Sequence, residues 1–165
     1  MSVRTGDEMS AQELCFFIPS DREGRPWYGL NDIVQAARTT GRSHPDRQKH
    51  DAERHVARIA EAAMDEQLWS RPEGRCRVTL TFVEMGRNRD PDNIFGGAKY
   101  ILDALCTPVF SHLTKSGREV WRHREGCGVI VDDSQRYVEL VCAIAEKTDR
   151  RHPGVWVRIK EEVDG

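Results

Sequence analysis

The chain has 165 residues, which matches one domain of roughly 150 residues, and a second independent core is not expected. Hydrophobic residues make up 38%, charged residues 32% and the mean hydropathy is −0.64; no apolar run approaches the roughly 18 residues of a membrane span, which excludes a helical membrane protein. Twenty-five Lys and Arg against 27 Asp and Glu leave a net charge of −2, so nucleic acid cannot be held by bulk positive charge and any such contact must use local patches.

Residues 1–13 are polar and without periodicity, and are expected to form a loose tail ahead of a domain over 14–165. Leu14 to Ile18, stopped by Pro19, reads as a first strand. Asn31 can cap a short helix whose Ile33, Val34 and Ala37 share a face. From about Asp46 to Leu68, Ala52, Val56, Ile59, Ala60 and Ala63 fall on one face of the longest helix. Arg75 to Glu84 alternates through Val78, Leu80 and Phe82 and is expected to be a strand. A helix from about Ile94 through Leu105 follows, weakened at Gly96 and Gly97. The stretch from Cys106 to Gly128 is rich in loop residues, and Val129–Val131, Tyr137–Ala145 and Val155–Glu161 read as three more strands. The expected fold is therefore α+β, a single domain with a mixed β-sheet and two main helices. Cys15, Cys76, Cys106, Cys127 and Cys142 are odd in number and include no C-x-x-C pair, and the first 20 residues lack a basic start followed by a long apolar stretch. That pattern reads as a reduced, cytoplasmic protein.

Two acidic segments stand at expected strand ends. In Arg87-Asn-Arg-Asp-Pro-Asp-Asn93, Asp90 and Asp92 are two apart and project to one side if the extended geometry persists, an arrangement that a hard cation such as Mg²⁺ would neutralise. The competing reading is that Asp92 or Asn93 caps the next helix. Asp132-Asp-Ser-Gln135 follows the apolar run Gly128–Val131 at another expected strand end; taken alone, an Asp-Asp pair is more commonly an acidic turn than a metal site. Together the two segments supply the carboxylates for a Mg²⁺ cluster of the kind that hydrolyses phosphodiesters. Lys99 and Asp103 are four apart and share a helix face near those acids, or form an ordinary surface ion pair.

Three blocks, Arg89-Asp-Pro-Asp-Asn93, Lys99-Tyr-Ile-Leu-Asp-Ala-Leu105 and Gly128-Val-Ile-Val-Asp-Asp-Ser-Gln135, resemble in order, spacing and residue type the RusA-type Holliday junction resolvases (crossover junction endodeoxyribonucleases) of bacteria and phages. Gly29-Leu-Asn31 and the basic helix containing Lys49 are similar to the form of that family found in phage-derived genes. The resemblance implies a RusA-like fold and a Mg²⁺-dependent endonuclease of DNA recombination and repair, with Mn²⁺ as a substitute ion. Such an enzyme resolves four-way junctions by paired symmetric nicks and works as a homodimer, a two-fold protein on a two-fold substrate. It carries catalysis to Asp90, Asp92, Asp133 and Lys99, with the three carboxylates as metal ligands and Asp132 and Asp103 behind them. A branched-DNA-binding protein without activity and a nuclease for flaps or other branches are the alternatives.

The chain is longer than the shortest members between Asp92 and Lys99, and again over an insertion at about 106–127. The first difference makes the register of Lys99 depend on whether the extra residues loop out before the helix begins. The insertion carries Cys106, His112, His123 and Cys127, residue types that bind Zn²⁺, but without the spacing of a finger. Its Lys115, Arg118, Arg122 and Arg124 read as a solvated basic loop able to touch phosphates, with Trp121 anchoring the loop in the core or, alternatively, stacking on a base. Arg87, Arg89 and Lys49 complete the expected DNA-contacting set. No G-x-x-x-x-G-K, H-E-x-x-H or G-x-S-x-G is present, which argues against an NTPase, a zinc protease or a serine hydrolase.

Overall fold

Alternating burial is what makes the first strand. In β1 (Glu13–Pro19) Leu14, Phe16 and Ile18 are buried while Glu13 and Cys15 face out, the period-two pattern of a strand with one face on a core. The computed structural model describes residues 11–20 and 43–163; the expected Asn31-capped helix, the Gly29-Leu-Asn31 segment and most of the expected tail lie outside them. The long helix α1 (Ser43–Gln67) follows, then β2 (Cys76–Val83), two short helices α2 (Pro91–Phe95) and α3 (Ala98–Leu105), a hairpin of β3 (Val109–Leu113) and β4 (Glu119–Arg122), and finally β5 (Val138–Ile144) and β6 (Gly154–Glu161).

The main sheet has the order β1-β6-β2-β5. β6 pairs antiparallel with β1 and with β2, and β2 pairs parallel with β5, so the sheet is mixed. Register places Phe16 beside Val157 and Val157 beside Leu80, so one face presents a continuous apolar layer. Onto it pack Val56, Ala60 and Ala63 of α1 and Ile101 and Leu105 of α3, all buried. The opposite face is tied by ion pairs across neighbouring strands, Glu13–Arg158 and Arg77–Glu139, each at 2.7 Å, beside the exposed Trp156 and Val141. The fold is α+β, as expected from the order of elements. Among the described residues no helix is long and apolar enough to cross a membrane.

Four expectations are corrected. Val129–Val131 is not a strand: the Ile130 N–H donates to the Leu105 carbonyl (3.1 Å) and the Val129 carbonyl accepts from the Trp69 indole (3.1 Å), so its polar groups serve a helix end and a side chain, not a ladder. The helix read over about 94–105 is two helices, because the Gly97 N–H turns back to the Ile94 carbonyl (3.2 Å) and a new helix starts at Ala98. The insertion contains a regular hairpin, with a bulge between Phe110 and His112. Trp121 does not anchor in the core: it is 40% exposed, edge-on to Phe110 at 5.6 Å, and holds the two hairpin strands to each other.

Candidate metal centre

The C-terminal end of α3 explains how distant residues meet. A helix end leaves carbonyls without partners inside the helix, and here the chain after the hairpin supplies them: Cys127 N–H donates to the Ala104 carbonyl (2.8 Å), Ile130 N–H to Leu105 (3.1 Å) and Gly128 N–H to Cys106 (3.0 Å). Gly128 takes the left-handed conformation this path requires (φ 75°). The segment is thereby laid along α3, and Asp132 and Asp133, just beyond it, stand near the face of α3 that carries Lys99 and Asp103.

Asp103 is the centre of the charge network. Its side chain is 5% exposed and is met by Lys49 Nζ at 3.3 Å, Lys99 Nζ at 3.2 Å and His123 Nδ1 at 3.6 Å. A buried carboxylate needs such compensation, since leaving it unpaired costs several kcal/mol. His123, just after β4, has a backbone φ of 52°, uncommon for a residue other than glycine, and its imidazole lies between Asp103 on one side and Asp132 and Asp133 on the other. Its Nε2 is 3.2 Å from Asp132 Oδ1 and 3.8 Å from Asp133 Oδ1, and Arg122 reaches Asp132 Oδ2 at 3.5 Å. One donor atom each from Cys106, His123, Asp132 and Asp133 lies within 4.8 Å of the others, a cluster able to hold a metal ion.

The two adjacent acids are held differently. Burial opposes ionisation of Asp132, but the Asp133 backbone N–H, the Arg122 guanidinium and His123 outweigh it and hold its carboxyl below the usual range. Burial pushes the Asp133 carboxyl up, and the neighbouring charges of Asp103 and Asp132 add to this against His123 and Lys99. The five cysteines are free. Cys106 is wholly buried and donates its thiol proton to the Leu102 carbonyl at 3.1 Å.

A second layer lies under Asp103. Lys49 also meets Glu53 at 3.5 Å, and His50 stands 3.8 Å from Glu125, which Arg54 grips at 3.1 Å, so α1 is tied to the chain following the hairpin. Burial, helped by the charge of Asp103, raises the Glu53 carboxyl above its ordinary value of 4.5 despite Lys49. The folded state therefore binds the Glu53 proton more tightly than the unfolded chain does. This contribution favours folding below the ordinary pKa and is lost as pH rises through the raised value. Glu53→Gln is expected to lessen the fall in stability between about pH 4 and pH 7, read as the difference in urea midpoints of the two proteins at those pH values.

The sequence-based residues are placed as follows. Asp133, Asp132, Asp103 and Lys99 are brought together. Asp90 and Asp92 lie outside the four-residue cluster: Asp90 precedes α2 and makes no side-chain cap, Asp92 sits in its first turn, and both are exposed. Of the four insertion residues considered for zinc, Cys106 and His123 join the cluster, whereas His112 is exposed on the hairpin and Cys127 is outside the group. Lys115, Arg118 and Arg122 are exposed on the hairpin. Arg89 is instead occupied by Glu84 at 3.1 Å, Arg87 donates to the Glu146 carbonyl at 2.6 Å, and Lys49 is engaged by Asp103. The roles of His123 at the centre and of Glu53 beneath it were not read from the sequence. The i,i+4 pair of Lys49 and Glu53 was the visible signal for the latter.

Comparison with protein-family models, with curated proteins and with solved structures finds no match for this chain.

Proposed function

We propose that this chain is a divalent-cation-dependent endonuclease that resolves four-way DNA junctions by paired nicks, using Mg²⁺ or Mn²⁺ and acting as a homodimer. The observation that supports the reading best is that Lys99 pairs with the buried Asp103 at 3.2 Å while His123 bridges Asp103 to Asp133, at 3.6 and 3.8 Å. The donor set suits the cation, since Asp132 and Asp133 offer adjacent carboxylates, the oxygen donors that such an ion takes. When bound, the ion would polarise the scissile phosphate and lower the pKa of a coordinated water.

The remaining work falls to side chains of this protein. Asp132 and Asp133 would hold the cation, with Asp90 and Asp92 as the further carboxylates that the resemblance assigns. Asp103, neutralised by Lys49 and Lys99, keeps the His123 ring in place. Lys99, with a side chain 66% exposed, provides a positive charge both to Asp103 and to an approaching phosphate. Arg122 and the exposed Lys115 and Arg118 of the hairpin provide the phosphate contacts that position DNA, and a symmetric pair of such sites matches a two-fold junction.

Purified protein incubated with labelled four-way junctions, flaps and plain duplex in Mg²⁺ or Mn²⁺ tests the reading. Paired nicks confined to the junction support it; binding without cleavage, or equal cutting of flaps, overturns it. Lys99→Ala is expected to slow junction cleavage by about a hundredfold, the usual effect of losing one charge contact in the transition state, and near-normal turnover would remove Lys99 from the catalytic set.

A further inference from the structure

His123 occupies the position at which an imidazole would change the identity of the bound ion. Two donors about 2.1 Å from one metal stand about 3.0 to 3.4 Å apart at right or tetrahedral angles. His123 Nε2 is 3.2 Å from Asp132 Oδ1 and 3.8 Å from Asp133 Oδ1, so small side-chain shifts bring all three onto one ion. A metal-bound imidazole characteristically gives its other ring N–H to a carboxylate, which fixes the tautomer and raises ligand basicity. Asp103 stands at that second nitrogen, 3.6 Å away, itself held by Lys49 and Lys99. Cys106, buried and engaged with the Leu102 carbonyl, lines the site as a wall. Three protein ligands leave coordination positions open for water or a phosphate oxygen, as in catalytic centres.

Mg²⁺ favours all-oxygen surroundings and gives up its water reluctantly, whereas an imidazole nitrogen strengthens binding of the later first-row ions. We propose that His123 Nε2, Asp132 and Asp133 form a one-histidine, two-carboxylate centre that takes Mn²⁺, Co²⁺ or Zn²⁺ in preference to Mg²⁺, with Asp103 as the residue that orients the ring. The hairpin insertion, which delivers His123, is then what makes the centre selective. This goes beyond the endonuclease reading, and it stands or fails separately because it is measured without DNA.

The test is calorimetric titration of the metal-stripped full chain with Co²⁺, Zn²⁺, Mn²⁺ and Mg²⁺. One site is expected, with Co²⁺ and Zn²⁺ bound at least about tenfold more tightly than Mg²⁺. His123→Ala should weaken Co²⁺ and Zn²⁺ by about a hundredfold and Asp103→Asn by about tenfold, while Mg²⁺ affinity stays within about threefold. His123→Gln, which keeps a polar group between the carboxylates, serves if the alanine variant fails to fold. In the wild-type chain, bound Co²⁺ should shift the His123 ring protons far outside their ordinary NMR range and give no intense near-ultraviolet thiolate band. Mg²⁺ bound as tightly as Co²⁺, unchanged Co²⁺ affinity in a folded His123 variant, unmoved His123 ring resonances, or an intense thiolate band would each overturn the assignment.

Discussion

Asp133→Asn is expected to cut the rate of junction cleavage by about a hundredfold or more while leaving the protein as stable as before or slightly more so. The loss of activity follows from removing the formal charge of a carboxylate at the point where the cation would bind. The absence of a stability cost follows from the sign of its pKa shift. Burial, Asp103 and Asp132 push the Asp133 carboxyl above its ordinary 3.8 against His123 and Lys99, so its ionised form works against folding, and that penalty is fully present once pH exceeds the raised value. An Asn at this position removes the repulsion. Cleavage assays beside urea denaturation at neutral pH separate the two effects. A variant with wild-type turnover would remove Asp133 from the reacting centre, and one that melts much earlier would show that the carboxylate is structural.

Gly126→Ala is expected to destabilise the fold and to dismantle the metal centre together. A methyl group at this position would overlap the Cys106 carbonyl oxygen and crowd the His123 carbonyl. Both are backbone atoms that no rotamer change can move aside. Relieving the overlap means lifting the 126–128 segment from the end of α3, where Cys127 and Gly128 donate to Ala104 and Cys106 at 2.8 and 3.0 Å. Overpacking costs about 1–3 kcal/mol and each hydrogen bond lost adds about 0.5–1.5 kcal/mol, so a loss of about 2–4 kcal/mol is expected in urea denaturation. Because the same segment sets His123 against Asp103, Co²⁺ affinity should fall with it. Gly74, with open space around its Cβ position, is the control: Gly74→Ala should leave both readings near wild type.

Local patterning in the sequence was sufficient for most of the frame. The apolar run Leu14–Ile18 and the alternation in Val78–Phe82 and Val155–Ile159 marked three strands that the sheet contains, and the spacing of Val56, Ala60 and Ala63 marked the buried face of α1, because period and burial are properties of contiguous residues. Where the local signal was weak, tertiary structure decided. Val129–Val131 is apolar enough for a strand, yet its backbone groups are taken by the end of α3 and by Trp69. Tyr137–Ala145 reads as a strand, yet β5 leaves its apolar Leu140 and Ile144 exposed, at 41% and 37%, at the edge of the sheet beyond β2. The acidic pair Asp132-Asp133 and the helical pair Lys99 and Asp103 were legible as candidates from residue type and spacing. That they meet, and that an imidazole from the hairpin stands between them, was not. The cause is the set of unsatisfied carbonyls at the end of α3, which capture the chain at Cys127, Gly128 and Ile130 and so bring His123 beside Asp103 and Asp132. A sequence displays its ligand types, but which of them share one ion depends on where the chain finds partners for its backbone.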